Sequence, residues 1–247
     1  MIKSFIRKHP YGAAILAALI CTFLTSVGAA ITQIAVLDEV PGYLAMSAAV
    51  ACSILIGFLL MARSGHSLAF YGFRKPASGS VKKVWLFAPL LLLEIVPLVL
   101  FAPKFQEPGA FYLVLIVFTI LVGINEEVYF RGLVFGFIRQ KGPKAAVIGS
   151  SIIFGALHSV NALSGTNPWA VLLQIAFAFL AGLVLALIVS ITKSLWIGML
   201  WHTVHNFISY VTETSLDRTA LIVVGVQVLV MLVYAIGLWR AGTREQM

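Results

Sequence analysis

Within long apolar stretches of the chain stand a few side chains that belong in water: Glu94, Glu126, Glu127, Arg131, His158, His202 and His205, with Asn125 and Asn206 beside them. An ionisable group in such a stretch costs several kcal/mol unless it meets a partner or a water-filled cavity, so each is a candidate for function. Glu127 and Arg131 are four residues apart, on one helix face and within reach of an ion pair that would neutralise both and hold the helix in place. Glu126, one residue earlier, is rotated by about 100° and has no obvious counter-ion, which makes it the carboxylate available for proton transfer. A buried packing network is the competing reading of these three. His158 follows Phe154 by four residues, so ring and imidazole share a face. Taken alone, such a histidine serves equally as a helix-to-helix hydrogen bond or as a catalyst. His202 and Asn206 are also four apart, two stacked donors able to stabilise a developing oxyanion, and His205 reads as secondary to them.

Composition says what kind of scaffold must hold these groups. With 61% hydrophobic and 11% charged residues over 247 positions, the chain has too little polar surface to cover a soluble globule, and lipid must be part of its solvent. A transmembrane helix needs roughly 20 apolar residues. Eight runs approach that length: Tyr11 to Ala35, Tyr43 to Met61, Val84 to Phe101, Ala110 to Ile138, Ala145 to Ala162, Trp169 to Ile191, Leu195 to Val211 and Ala220 to Trp239. The expectation is an all-α, polytopic transmembrane bundle of about eight helices, a single integral membrane domain over residues 1–247 with its motif-bearing core at about 110–212. The longest hydrophilic stretch, Arg63 to Lys83, is too short for a core of its own. The first apolar run is too long for a typical signal-peptide core and reads as a retained span. Cys21 and Cys52 lie in the first two runs as ordinary packing residues, with neither a disulfide framework nor a metal pattern.

The basic residues report orientation. If eight spans alternate from a cytoplasmic N-terminus, one side collects Lys3, Arg7, Lys8, Arg63, Arg74, Lys75, Lys82, Lys83, Arg139, Lys141, Lys144, Lys193, Arg240 and Arg244, and the other only Lys104 and Arg218. Both termini are therefore expected in the cytoplasm. The net charge of +8 is a topology signal, and scattered over short loops it makes no nucleic-acid surface. Counting 1.5 Å per residue from the basic ends places Glu126, His158 and His202 at depths of about 20, 21 and 14 Å, so three spans bring polar groups to a similar level.

The polar residues also fall into a known pattern. Glu126-Glu127-Val-Tyr-Phe-Arg131 resembles the EExxxR motif, Phe154-Gly-Ala-Leu-His158 the FxxxH motif and His202-Thr-Val-His-Asn206 the HxxxN motif of the CPBP intramembrane proteases. That family comprises the CaaX endopeptidases and the bacteriocin-processing and immunity proteins, also called Abi. Any one motif is weak, but three in order on membrane helices are specific. The resemblance implies a peptidase in which Glu126 works with His158 to activate a water, His202 and Asn206 hold the oxyanion, and Glu127 and Arg131 brace the site, with Phe154 and His205 in support. It implies a membrane-associated peptide or protein as substrate and the lipid bilayer as surroundings. The family is often labelled metalloprotease, so zinc on Glu126, His158 and His202 is the alternative; HExxH is absent and asparagine is an unusual zinc ligand, and a metal-free site is preferred. Competing functions are a non-proteolytic bacteriocin-immunity or scaffold protein, and a proton-coupled transporter using the same Glu and His residues as a relay. No internal repeat or pair of Gly/Pro-broken helices favours the transporter. Ser164 lies in a loop without the flanking glycine of a serine nucleophile, and no span holds an aspartate for an aspartyl dyad.

Overall fold

The computed structural model describes residues 2–83, 87–101, 103, 105–212 and 217–246, with side chains to residue 242. Val84 and Lys104, used in the span and charge readings, lie outside the described residues, as does the side chain of Arg244. Among the described residues there is no strand, and all eight apolar runs are helical. A short helix α1 (Ile2–Lys8) is followed by α2 (Pro10–Ile34), α3 (Glu39–Ser64), α4 (Ala88–Phe101), α5 (Gly109–Lys141), α6 (Pro143–Ser164), α7 (Pro168–Thr192), α8 (Trp196–Val211) and α9 (Arg218–Gln246). Proline opens α2, α6 and α7, where its missing N–H is not needed, and Asn167 caps α7 by accepting from the Trp169 N–H at 2.9 Å.

Six helices, α2, α3, α5, α6, α7 and α9, are long and apolar enough to cross a membrane. The other two expected spans are shorter. Helix α4 has 14 residues and α8 has 16, which at 1.5 Å per residue reach about 21 and 24 Å against a hydrocarbon core of about 30 Å. These two carry Glu94 and the His202–Asn206 stretch, so these polar residues fall on helices that need not face lipid along a full crossing, whereas Glu126, Glu127, Arg131 and His158 lie on the long α5 and α6. The chain is thus a multi-pass helical membrane bundle whose outer surface displays large apolar side chains such as Ile34, Val99 and Leu229. Helix α7 is its central post, with 56% of its apolar window buried against 28–33% for the other long helices.

Two close approaches set the site's geometry. At Gly155 of α6 a Cβ would lie 2.9 Å from Phe179 Cβ of α7, so the two helices touch along that line. At Gly123 of α5 a Cβ would lie 2.8 Å from the Thr203 backbone nitrogen of α8, which brings Glu126 opposite His202. Just past that contact α5 changes its winding. Residues Glu127–Val134 form a π-helix, with the Phe135 N–H reaching the Phe130 carbonyl five residues back. This segment is completely buried, its Val128, Tyr129, Leu133 and Val134 forming the middle of the core, and Tyr129 donates to the Ser53 carbonyl at 3.0 Å.

The basic segments gather at one end of the bundle. The Leu195 N–H donates to the Gly72 carbonyl at 3.0 Å, the Ala77 N–H to the Thr192 carbonyl at 2.8 Å, and Gln140 Nε2 to the Ile6 carbonyl at 3.0 Å. The N-terminus, the 65–79 loop and the turns after α5 and α7 therefore share that end, as the charge distribution of the sequence requires.

Candidate active site

Glu126 and Glu127, consecutive at the start of the π-helix, both reach His202. Glu126 Oε2 lies 3.0 Å from His202 Nε2, and Glu127 Oε1 lies 3.2 Å from His202 Nδ1. On a regular α-helix neighbouring residues diverge by about 100°. Both residues keep ordinary α-helical backbone angles, φ −66°, ψ −39° and φ −69°, ψ −37°, and the His202 imidazole lies between the two diverging side chains, so the carboxylates meet opposite edges of one ring. Both contacts are hydrogen bonds when both ring nitrogens carry hydrogen and donate. Glu127 is completely buried and also forms an ion pair with Arg131, whose Nη1 lies 3.0 Å from Glu127 Oε1. The ion pair read from the i,i+4 spacing is therefore present, with His202 as a third member. Gly198 makes room for it: a Cβ there would lie 2.7 Å from Glu127 Oε2. Glu126 is not without a partner, since His202 occupies one of its oxygens, but its side chain keeps 23% exposure.

Phe154 joins the parts. Its ring lies under the Arg131 guanidinium at 4.2 Å and packs edge-on to Phe130, His158 and His202 at centroid distances of 4.8, 4.7 and 5.9 Å. Its backbone carbonyl does a second task. His158 Nδ1 lies 2.8 Å from Phe154 O, and because a carbonyl only accepts, Nδ1 carries the hydrogen and Nε2 of the neutral ring presents a lone pair. Among the described residues Glu126 and His158 make no direct bond, yet both line the same two cavities, one of about 540 Å³ and one of about 190 Å³. His202, His205 and Asn206 line the larger, whose other walls include Phe118, Val122 and Phe177. Asn206 Nδ2 is buried with no hydrogen-bond partner among the described residues. Asn125 points elsewhere, donating to Cys21 Sγ at 3.2 Å.

One pair was not legible in the sequence. Glu94 of α4 accepts from His205 Nδ1 at 3.0 and 3.3 Å, and the His205 ring lies flat between Trp201 and Phe177, at 4.9 and 5.2 Å. Glu94 carried no spacing signal, because its partner lies far along the chain on another helix. The rarity of a carboxylate in an apolar run was the sole clue.

In this arrangement the alternative zinc set of Glu126, His158 and His202 has its shared histidine engaged by both carboxylates. Zinc binds a histidine through a ring lone pair, and both His202 nitrogens face carboxylates. Among the described residues no three His, Cys, Asp or Glu side chains converge in a metal-holding group.

Residues 108–208 match the family model described as type II CAAX prenyl endopeptidase Rce1-like. The segment contains all three motifs and leaves out Glu94 and α9. No curated protein and no solved structure gives a significant match.

Proposed function

We propose, from the place of residues 108–208 in the CPBP/CaaX protease family, that this chain is an intramembrane endopeptidase working without a metal on a membrane-associated peptide or protein. The observation that carries the reading is one cavity of about 540 Å³ shared by Glu126, by His158 with its lone pair at Nε2, and by Asn206, whose Nδ2 has no partner among the described residues. These are the three functions that amide hydrolysis needs: a base, a group to orient water, and a donor for the oxyanion.

A water between the Glu126 carboxylate and His158 Nε2 would give its proton to Glu126 as its oxygen attacks the scissile carbonyl carbon. The carbonyl oxygen becomes an oxyanion and accepts from Asn206 Nδ2, with His202 Nε2 as the adjacent donor. As the C–N bond breaks, Glu126 returns the proton to the leaving nitrogen, which departs as an amine, and the acyl half leaves as a carboxylic acid that then gives its remaining proton to the amine, yielding a carboxylate and an ammonium. Glu127 holds His202 from its other edge, and Arg131 holds Glu127, so the ring is oriented before substrate arrives. The charge asymmetry of the loops supports placement in the cell membrane with both termini cytoplasmic.

The test is cleavage of quenched-fluorescent membrane peptides by the purified chain in detergent. Glu126→Gln is expected to lower kcat by about 10²-fold or more, with melting unchanged, and EDTA or 1,10-phenanthroline to leave the rate intact. Full activity in Glu126→Gln would overturn the assignment of the base; loss with chelator would return the site to a metal.

A further inference from the structure

At the basic end of the bundle, behind the site, a second cavity of about 570 Å³ opens between the 65–79 loop, the end of α5 and the turn after α7. Its wall carries Arg74, Arg131, Arg139 and Lys193 and, among the described lining residues, no carboxylate. Cations repel one another across such a space, and a fold that gathers four of them around a void has built an environment for an anion.

Two further observations point to a ligand. Arg131 is 2% exposed, and while its Nη1 faces Glu127, its Nη2 has no hydrogen-bond partner among the described residues. A buried guanidinium nitrogen left this way is costly unless something accepts from it. Lys193 ends α7 in the left-handed conformation, φ 60°, a position where glycine carries no strain and a lysine does. That strained residue puts its side chain in the cavity wall. Burial, and then the Arg139 guanidinium, hold its amine below the ordinary lysine range. The Arg139 guanidinium itself is set in place over the Phe70 ring at 4.2 Å. The walls are tied together, since Ser194 Oγ donates to the Arg74 carbonyl at 2.8 Å and the Leu195 N–H to the Gly72 carbonyl.

We propose that this cavity binds a phosphate group, the chemistry shared by anionic lipid headgroups and free phosphate. Planar guanidinium groups flanking a lysine amine suit a tetrahedral oxyanion, and the cavity lies at the end of the bundle, where headgroups of the surrounding bilayer stand. The proposal is independent of the peptidase reading. Arg131 nevertheless links the two, since it lines this cavity and pairs with Glu127, so an anion held here also steadies the guanidinium that positions Glu127.

The experiment uses the full chain purified in a neutral maltoside detergent, titrated with inorganic phosphate, with dihexanoyl phosphatidylglycerol and with net-neutral dihexanoyl phosphatidylcholine, read by calorimetry and by the rise in Tm. Saturable binding of phosphatidylglycerol is expected, with phosphatidylcholine much weaker, and Arg139→Gln and Lys193→Gln each weakening it about tenfold. Matching binding by inorganic phosphate identifies free phosphate as a sufficient ligand; binding of the lipid alone identifies the headgroup. Lys193→Gly guards against a folding defect, because it relieves the left-handed strain: its unliganded Tm should hold or rise while its affinity falls about tenfold. Equal affinity for the two lipids, no binding of either anion, or unchanged affinity in Lys193→Gly would overturn the proposal.

Discussion

Between Glu126 and Glu127 the His202 ring is fixed at both edges, and Asn206, one turn further along α8, is left with a buried donor and no acceptor among the described residues. That contrast separates the roles of the two residues. His202 is oriented by the carboxylates before substrate arrives and shares its Nε2 donor between Glu126 and the oxyanion, while Asn206 Nδ2 is satisfied only when an oxygen enters the cavity. Asn206→Ala is therefore expected to lower kcat by about 10²-fold, with little change in KM or Tm, as measured with the same fluorescent peptides. Arg131 differs in kind. Its pairing with Glu127 is buried, and removing one partner of such a pair leaves a charge uncompensated. Arg131→Met should destabilise the fold by about 3–5 kcal/mol, and adding Glu127→Gln should restore part of that loss, as followed by thermal unfolding. An additive double variant would show that the pair is not coupled.

Helix α5 holds the site by two devices, a bare glycine and a change of winding. Gly123 lets α8 approach to backbone contact, and the π-helix that begins four residues later, at Glu127, buries the second of the two consecutive carboxylates that reach one ring. The sequence-level reading assumed regular α-helical rotation and sent Glu126 and Glu127 to different faces, so it paired Glu127 with Arg131 and left Glu126 alone. The first pairing is present; the isolation of Glu126 is not, because His202 of α8 packs between the two carboxylates and meets one with each ring nitrogen. Gly123→Ala would place a methyl group 2.8 Å from the Thr203 nitrogen, a backbone atom that cannot rotate away. Overpacking of this sort costs about 1–3 kcal/mol. Here it should also push His202 off Glu126, so activity is expected to fall further than stability does; an active, fully stable Gly123→Ala protein would refute the role given to this contact.

For the molecule as a whole, the expected eight crossings become six long helices and two short ones, and either even number leaves the termini on one side of the membrane. Reporter fusions or cysteine labelling at the N-terminus, at the 65–79 loop and after α9 should therefore all report the same side, the cytoplasmic one. A reporter in the 65–79 loop on the opposite side from the N-terminus would overturn this topology. The gathering of α1, the 65–79 loop and the turns after α5 and α7 at one end is consistent with it.

The amino-acid sequence by itself determined the all-helical class, the positions of the apolar runs and, through three spaced motifs, which polar residues to weigh as candidates for the site. Those properties depend on local hydrophobicity and on spacing along a single helix, both of which are written in the order of residues. Tertiary structure alone decided that Glu94 serves His205, that Asn125 turns to Cys21, that His158 presents Nε2, and that Arg74, Arg131, Arg139 and Lys193 enclose one cavity. Each of these joins groups distant in the chain or turns on the direction of a single side chain. No periodicity records such relations, because they arise only when the helices have packed.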